Sequence, residues 1–234
     1  MRRLLPLLAL CAAACANIHG HDVITTAITW DREISRLVYT HCASCHHPEG
    51  MAFSLMTYKE ARPWAEAVKE EVLARRMPPW GAIKGFGDFR NDQGLTPEEM
   101  EIVTSWADGG VPEGEDKDLG PAPKLSNPLP SNSAKDDFVL NGDVTLSKPL
   151  MADGLLPVTL PEHGSFQIIA TLPDGSIQPL LWLDDYKPQY GHPFLFRTPA
   201  EFPIGTHISG VPPGAKIVVL RPGPASAAVA TSAR

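Results

Sequence analysis

The sequence predicts an α+β, multidomain chain, with an all-α N-terminal domain followed by a C-terminal antiparallel β-sandwich. Three observations predict it. Between residues 30 and 111 apolar side chains recur at helical spacing behind capping signals at Thr57 and Thr96. From 112 to 137 the composition turns to prolines and acidic residues, which reads as a linker. From 138 to 221 short β-rich runs are divided by turn signals. The expected division is therefore residues 1–16 as a leader, 17–111 as the helical domain, 112–137 as the linker, 138–221 as the sandwich and 222–234 as a disordered tail.

The leader, MRRLLPLLALCAAACA, has a basic start, an apolar run from Leu4 to Ala14 and small residues at its end. This is the pattern of a secretory signal, too short to span a bilayer permanently. Ala14-Cys15-Ala16 offers a cleavage site, and Cys15 would be the site of a lipid anchor on a lipoprotein reading. The expected location is periplasmic or otherwise exported. Cleavage after Ala16 removes Arg2 and Arg3, taking the formal net charge from −7 to −9. That acidity argues against nucleic acid or an anionic membrane as partner and favours a neutral or basic protein. Cleavage also removes Cys11 and Cys15, so Cys42 and Cys45 are left with no further cysteine for a structural disulfide.

The helical domain divides into three pieces. The first covers about residues 31–41, with Ile34, Leu37, Val38 and Cys42 on one face. The second starts at Thr57, closed by Glu60 in a capping box, and runs to about Arg76 with a kink or restart at Pro63; Trp64, Val68, Val72 and Leu73 form its buried stripe. The third opens at Thr96-Pro97 with Glu99 and stops at Gly109-Gly110, burying Ile102, Val103 and Trp106.

Between the first two pieces lies Cys42-Ala43-Ser44-Cys45-His46, the CxxCH pattern that attaches a c-type haem. Two thiols add across the two vinyl groups, and the adjacent imidazole reaches the iron from one face. A structural zinc site wants four ligands, usually two such pairs, and no second pair exists. A redox CxxC follows a strand, whereas a helical pattern precedes this one. One covalent haem c is expected, with Cys42 and Cys45 as tethers and His46 as axial ligand.

For the second axial position Met77 is favoured. It lies thirty-one residues past His46, after a helical run and before Pro78-Pro79, whose fixed φ angles suit a stiff turn that presents a thioether. Met51 is tethered too closely to round a macrocycle comfortably. Met56 reads as packing and Met100 as core filler. Met51 or Met56, or an open or histidine-filled position, remain as alternatives. His41 and His47 read as surface or haem-edge side chains. Arg75 and Arg76 either pair with haem propionates or complement the dipole of the helix they end. Trp80, Phe86 and Phe89 stand in a glycine-rich loop, residues 78–94, and Trp80 is expected to pack on the haem.

HCASCHHPEG, FSLMTYKEARPW, RRMPPW and FRNDQGLTPEEMEIVTSWADGGVPEG together resemble the haem segment of bacterial c-type cytochromes often fused to copper type II, ascorbate-dependent monooxygenase-like domains. The resemblance covers roughly residues 30–114 and implies a cytochrome c domain with His46 and Met77 as the axial pair. The chain departs from the family's pattern at Met51 and Ala52.

In the second half, 155–160, 165–172, 177–183, 193–197 and 216–220 read as strands, with Pro173-Asp174-Gly175 as a hairpin turn. The stretch from Ser165 to Ile208 is similar to the closing part of those copper domains. Copper itself is not expected, because His163, His192 and His207 are widely separated and Met151 stands apart from them. Three functions are consistent with these residues: an exported electron carrier, favoured here; a haem-containing enzyme subunit related to the copper monooxygenases; and a ligand-binding or sensor module with haem.

Overall fold

The computed structural model describes residues 26–125, 138–161 and 163–223. The expected leader, with Cys15, and most of the expected tail lie outside them. So does the later part of the expected linker.

Three helical stretches form where the capping signals stand. Helix α1, residues 30–42, opens on Thr29, whose Oγ1 accepts the Arg32 amide at 3.3 Å. Its first and last turns are π-wound: the Ser35 amide donates to the Trp30 carbonyl, and the Ala43 amide to the Val38 carbonyl at 2.8 Å. Helix α2, residues 58–73, has a complete Thr57–Glu60 capping box, and Pro63 sits in a single 3₁₀ turn, Arg62–Trp64. Helix α3, Pro97–Asp108, repeats the box with Thr96 and Glu99 and ends at Gly109. Trp30, Ile34, Val38, Val72, Val103 and Trp106 form their small shared core.

Eight strands follow: β1 (Phe138–Leu140), β2 (Val144–Thr145), β3 (Leu150–Thr159), β4 (Ser165–Thr171), β5 (Ile177–Asp184), β6 (Phe194–Phe202), β7 (His207–Ser209) and β8 (Lys216–Leu220). They make two antiparallel four-stranded sheets, ordered β1-β8-β3-β6 and β2-β7-β4-β5. Leu155, Phe194, Phe202 and Ile217 from the first sheet meet Ile168, Leu181, Leu183 and Ile208 from the second. The Pro173-Asp174-Gly175 turn joins β4 to β5, with Gly175 at φ +84° and the Asp174 carboxylate accepting the Ser176 amide at 2.9 Å. Strands β1, β2 and β7 are two or three residues long, too short to show an alternating pattern in the sequence.

The expected fold class needs correction. The described residues are mostly β, and no separate all-α cytochrome domain is present among them. The helices are short, and the segment between α2 and α3 leaves them to join the sheets. The Ile83 amide donates to the Trp182 carbonyl at 2.9 Å and the Asp184 amide to the Gly81 carbonyl at 2.8 Å, extending the β5 edge. The Arg90 amide donates to the Leu195 carbonyl and the Arg197 amide to the Asp88 carbonyl, each at 2.9 Å, extending the β6 edge. The Arg90 guanidinium then grips Asp153 at 2.6 and 3.1 Å, and Trp80 and Phe89 are buried in the sandwich core. A helical period says where helices lie, but not that a glycine-rich loop beside them belongs to another core.

If Trp80 is part of the sandwich core, Trp80→Ala should cost about 3–5 kcal/mol of folding stability. Urea unfolding followed by circular dichroism of the strands measures it, and a loss below about 1 kcal/mol would remove Trp80 from that core.

Candidate haem-binding site

The CxxCH segment is a tight turn hung on the end of α1. The Cys45 and His46 amides both donate to the Cys42 carbonyl, at 3.1 and 2.9 Å. The Cys45 carbonyl then accepts the Ala52 amide and the His46 carbonyl the Leu55 amide, each at 3.2 Å. Gly50 packs so close to the Cys45 carbonyl and the His47 ring that no side chain fits there.

His46 is oriented by a carbonyl. Its Nδ1 lies 2.9 Å from the Phe53 carbonyl oxygen. A carbonyl only accepts, so Nδ1 carries the proton and Nε2 keeps the lone pair a metal needs. The Phe53 ring stands edge-on to the imidazole at 5.0 Å and stacks on Trp64 at 4.4 Å.

Beside this turn lies an apolar cleft of about 290 Å³, walled by Leu55, Val68, Val72, Phe53, Trp64 and Met51 and reached by Cys42, Cys45, His46 and Met77. Met51, Phe53 and Trp64 are 66%, 47% and 44% exposed, an apolar rim that water touches unless something covers it. Met77 follows the end of α2, where Arg75 takes the left-handed φ of +56° usually left to glycine. The Arg76 amide donates to the Glu71 carbonyl at 2.9 Å and the Met77 amide donates to it at 3.3 Å, turning the chain toward Pro78 and Pro79.

The residues present fit a covalent haem. Both thiols are free, and burial, with the neighbouring Cys45 adding to it, pushes the Cys42 thiol up to about 12. A buried thiol that stays neutral is poorly set for disulfide exchange, whereas a thioether carries no charge to bury. The imidazole Nε2, the soft Met77 sulfur and the apolar walls supply the remainder.

Of the other expected residues, His41 lines the cleft, while Arg75, Arg76 and Trp80 do not. Arg76 is held by Glu71 through two 2.8 Å bonds, a pairing that also holds the Glu71 carboxyl below the usual range. Arg75, Arg76 and Trp80 line a second cavity of about 710 Å³, which Met77, Pro78 and Pro79 share with the cleft. Trp80 does not line the cleft; it stacks on His192 at 4.8 Å and contacts Phe194 and Phe89. His41 is buried, with Nδ1 on the Gln93 carbonyl at 3.0 Å and Nε2 on Glu99 at 3.2 Å, and so ties α1 to α3. His47 is half-buried against Gly50. His163 bonds Asp185, His207 bonds Thr145 and His192 bonds the Pro79 carbonyl, three separate places. Among the described residues no group of three or more His, Cys, Asp or Glu side chains is placed to hold a metal ion.

Two contributors were not singled out in the sequence. Phe53 supplies the orienting carbonyl, seven residues past His46, and nothing about its type announces a carbonyl role. Tyr190 reaches the cleft from the short turn before β6, which only the fold brings near. No family model, curated protein or solved structure matches the chain. Among the described residues no helix is long and apolar enough to cross a membrane.

Burial alone would raise the Glu99 carboxyl, but the Thr96 amide and the His41 ring outweigh it and hold the carboxyl below its usual range. A depressed carboxylate stabilises the fold above its unfolded pKa, about 4.3, and that stability is lost as pH falls through the lower folded value. Urea midpoints should therefore drop on acidification below that range, and Glu99→Gln should shrink the drop while lowering stability at neutral pH. An unchanged acid profile in Glu99→Gln would assign the drop to other carboxylates.

Proposed function

We propose that the chain is an exported, single-haem c-type electron carrier, with haem tethered by Cys42 and Cys45 and the iron held between His46 and Met77. The observation that carries the reading is the His46 ring, fixed by the Phe53 carbonyl with Nε2 left as a lone-pair donor, on the same apolar cleft as both thiols and the Met77 thioether. The resemblance of residues 30–114 to the haem segment of bacterial c-type cytochromes supports it, as does the signal-like leader.

Each group then has a task. Cys42 and Cys45 hold the group by two bonds that unfolding does not break. The Phe53 carbonyl makes the His46 imidazole a better donor by accepting the hydrogen bond from its Nδ1–H. Leu55, Val68 and Val72 keep water from the cleft, and the neutral thioether of Met77 adds no charge there. When bound, the haem supplies a one-electron iron couple, and a thioether with a dry setting favours its ferrous form. The half-exposed rim of Met51, Phe53 and Trp64 is the natural place for electrons to leave toward a redox partner protein.

The absorption spectrum of the reduced, exported protein should be unchanged by carbon monoxide. Met77→Ala should bind carbon monoxide readily and show a lower midpoint potential. Ready binding by the wild-type protein would instead favour an enzyme or sensor with a labile sixth ligand. Wild-type behaviour in Met77→Ala would pass the axial role to Met51 or Met56.

A further inference from the structure

The segment that carries Met77 is held from the other half of the chain. His192, just before β6, places its ring 4.8 Å from the Trp80 ring and 6° from parallel. Its Nε2 lies 3.3 Å from the carbonyl oxygen of Pro79, two residues past Met77. Burial lowers the His192 pKa more than the nearby carbonyls raise it, so the ring is neutral at neutral pH and has a single N–H to give. Nδ1 is buried with no hydrogen-bond partner, which leaves that proton on Nε2, donated to Pro79.

The surroundings fix His192 in turn. The Tyr186 hydroxyl accepts the His192 amide at 3.1 Å, and the Tyr186 ring stands edge-on to the imidazole at 5.5 Å. Gly81, at φ +69°, packs against Tyr186 with no room for a side chain. The Pro78 carbonyl is taken by the Trp80 amide at 2.8 Å. Pro78 and Pro79 have no N–H to donate, so the segment after Met77 is anchored through these carbonyls and the Trp80 ring.

We propose that His192 is a positioning residue for the iron's methionine ligand: the sandwich, through His192, fixes the Pro78–Pro79 strut from which Met77 reaches the metal. The inference rests on the reading that Met77 is that ligand. A neutral thioether is a weak donor, and its hold depends on a high effective concentration at the metal, which a fixed strut maintains and a loose one lowers. The β domain is then part of the redox site's construction and not only a docking appendage.

The test uses the full-length, haem-loaded protein. His192→Phe keeps an aromatic ring on Trp80 and removes the donor, whereas His192→Gln offers an N–H without the ring. In His192→Phe the ferric Fe–S charge-transfer band should weaken and the midpoint potential fall. Carbon monoxide affinity of the ferrous protein should rise about tenfold, as the methionine-off fraction rises with loss of one hydrogen bond. Covalent haem content should be unchanged, and His192→Gln should recover part of the band. Ile208→Val, in the core on β7 two strands from β5, should lower the thermal midpoint without moving band or potential. Where His192→Phe does not accumulate, Tyr186→Phe, which frees the His192 amide, must shift the same readouts in the same direction.

Wild-type band, potential and carbon monoxide affinity in His192→Phe, with the band lost in Met77→Ala, would overturn the positioning role and leave the ligand assignment standing. A wild-type protein with no Fe–S band would overturn both.

Discussion

The arrangement depends on how two of the four sheet edges, β5 and β6, are covered. Strand β5 ends one sheet and β6 ends the other, and each would otherwise present unpaired amides and carbonyls to solvent. Residues 81–83 pair with β5 and residues 88–91 bond to β6 and the turn before it, so one connection covers both edges. Trp80 and Phe89 pin that connection into the space between the sheets, and Arg90 locks it to Asp153 at the β3 bulge. A connection that must lie there cannot also wander at its start, and its start is Met77.

This explains why the sequence was legible in some places and not in others. The CxxCH spacing, the capping boxes at Thr57 and Thr96 and the hairpin at Pro173-Asp174-Gly175 are local signals, and each appears in the structure as local geometry. The fold class failed because its evidence was of another kind. Trp80 and Phe89 sit among glycines with no period to follow, so their proximity in the chain to the haem motif stood in for knowledge of what they touch. His192 shows the same limit: as a lone histidine in a β-rich stretch it invites the question of copper, and only the fold shows it against Trp80 and the Pro79 carbonyl.

The two halves of the candidate site differ in how they are held. On the His46 side most constraints are local, in the turn after α1, the amides of residues 45–55 and the Phe53 carbonyl, with Gln93 reaching in from afar to Ser44 and His41. On the Met77 side the Glu71 carbonyl holds the Arg76 and Met77 amides locally, and His192 and the β5 edge add constraints from afar. A site built this way has one fixed wall and one wall whose position reports on the sandwich.

The cores themselves are separate. No residue of the apolar cleft's wall belongs to the sandwich core, while Leu55 and Val72 belong to both the cleft and the helical core. Among the described residues the helical core is small, nine buried apolar residues, whereas the sandwich core has more than twice as many. Area removed from water scales with such burial, so the sandwich gains more from its own packing than the helices gain from theirs. Because Trp80 and Phe89 sit in the larger core, the connection that carries Met77 takes its position in part from the sandwich. The Met77 wall is thus tied to the larger core, while the His46 wall packs on the smaller one through Leu55 and Val72.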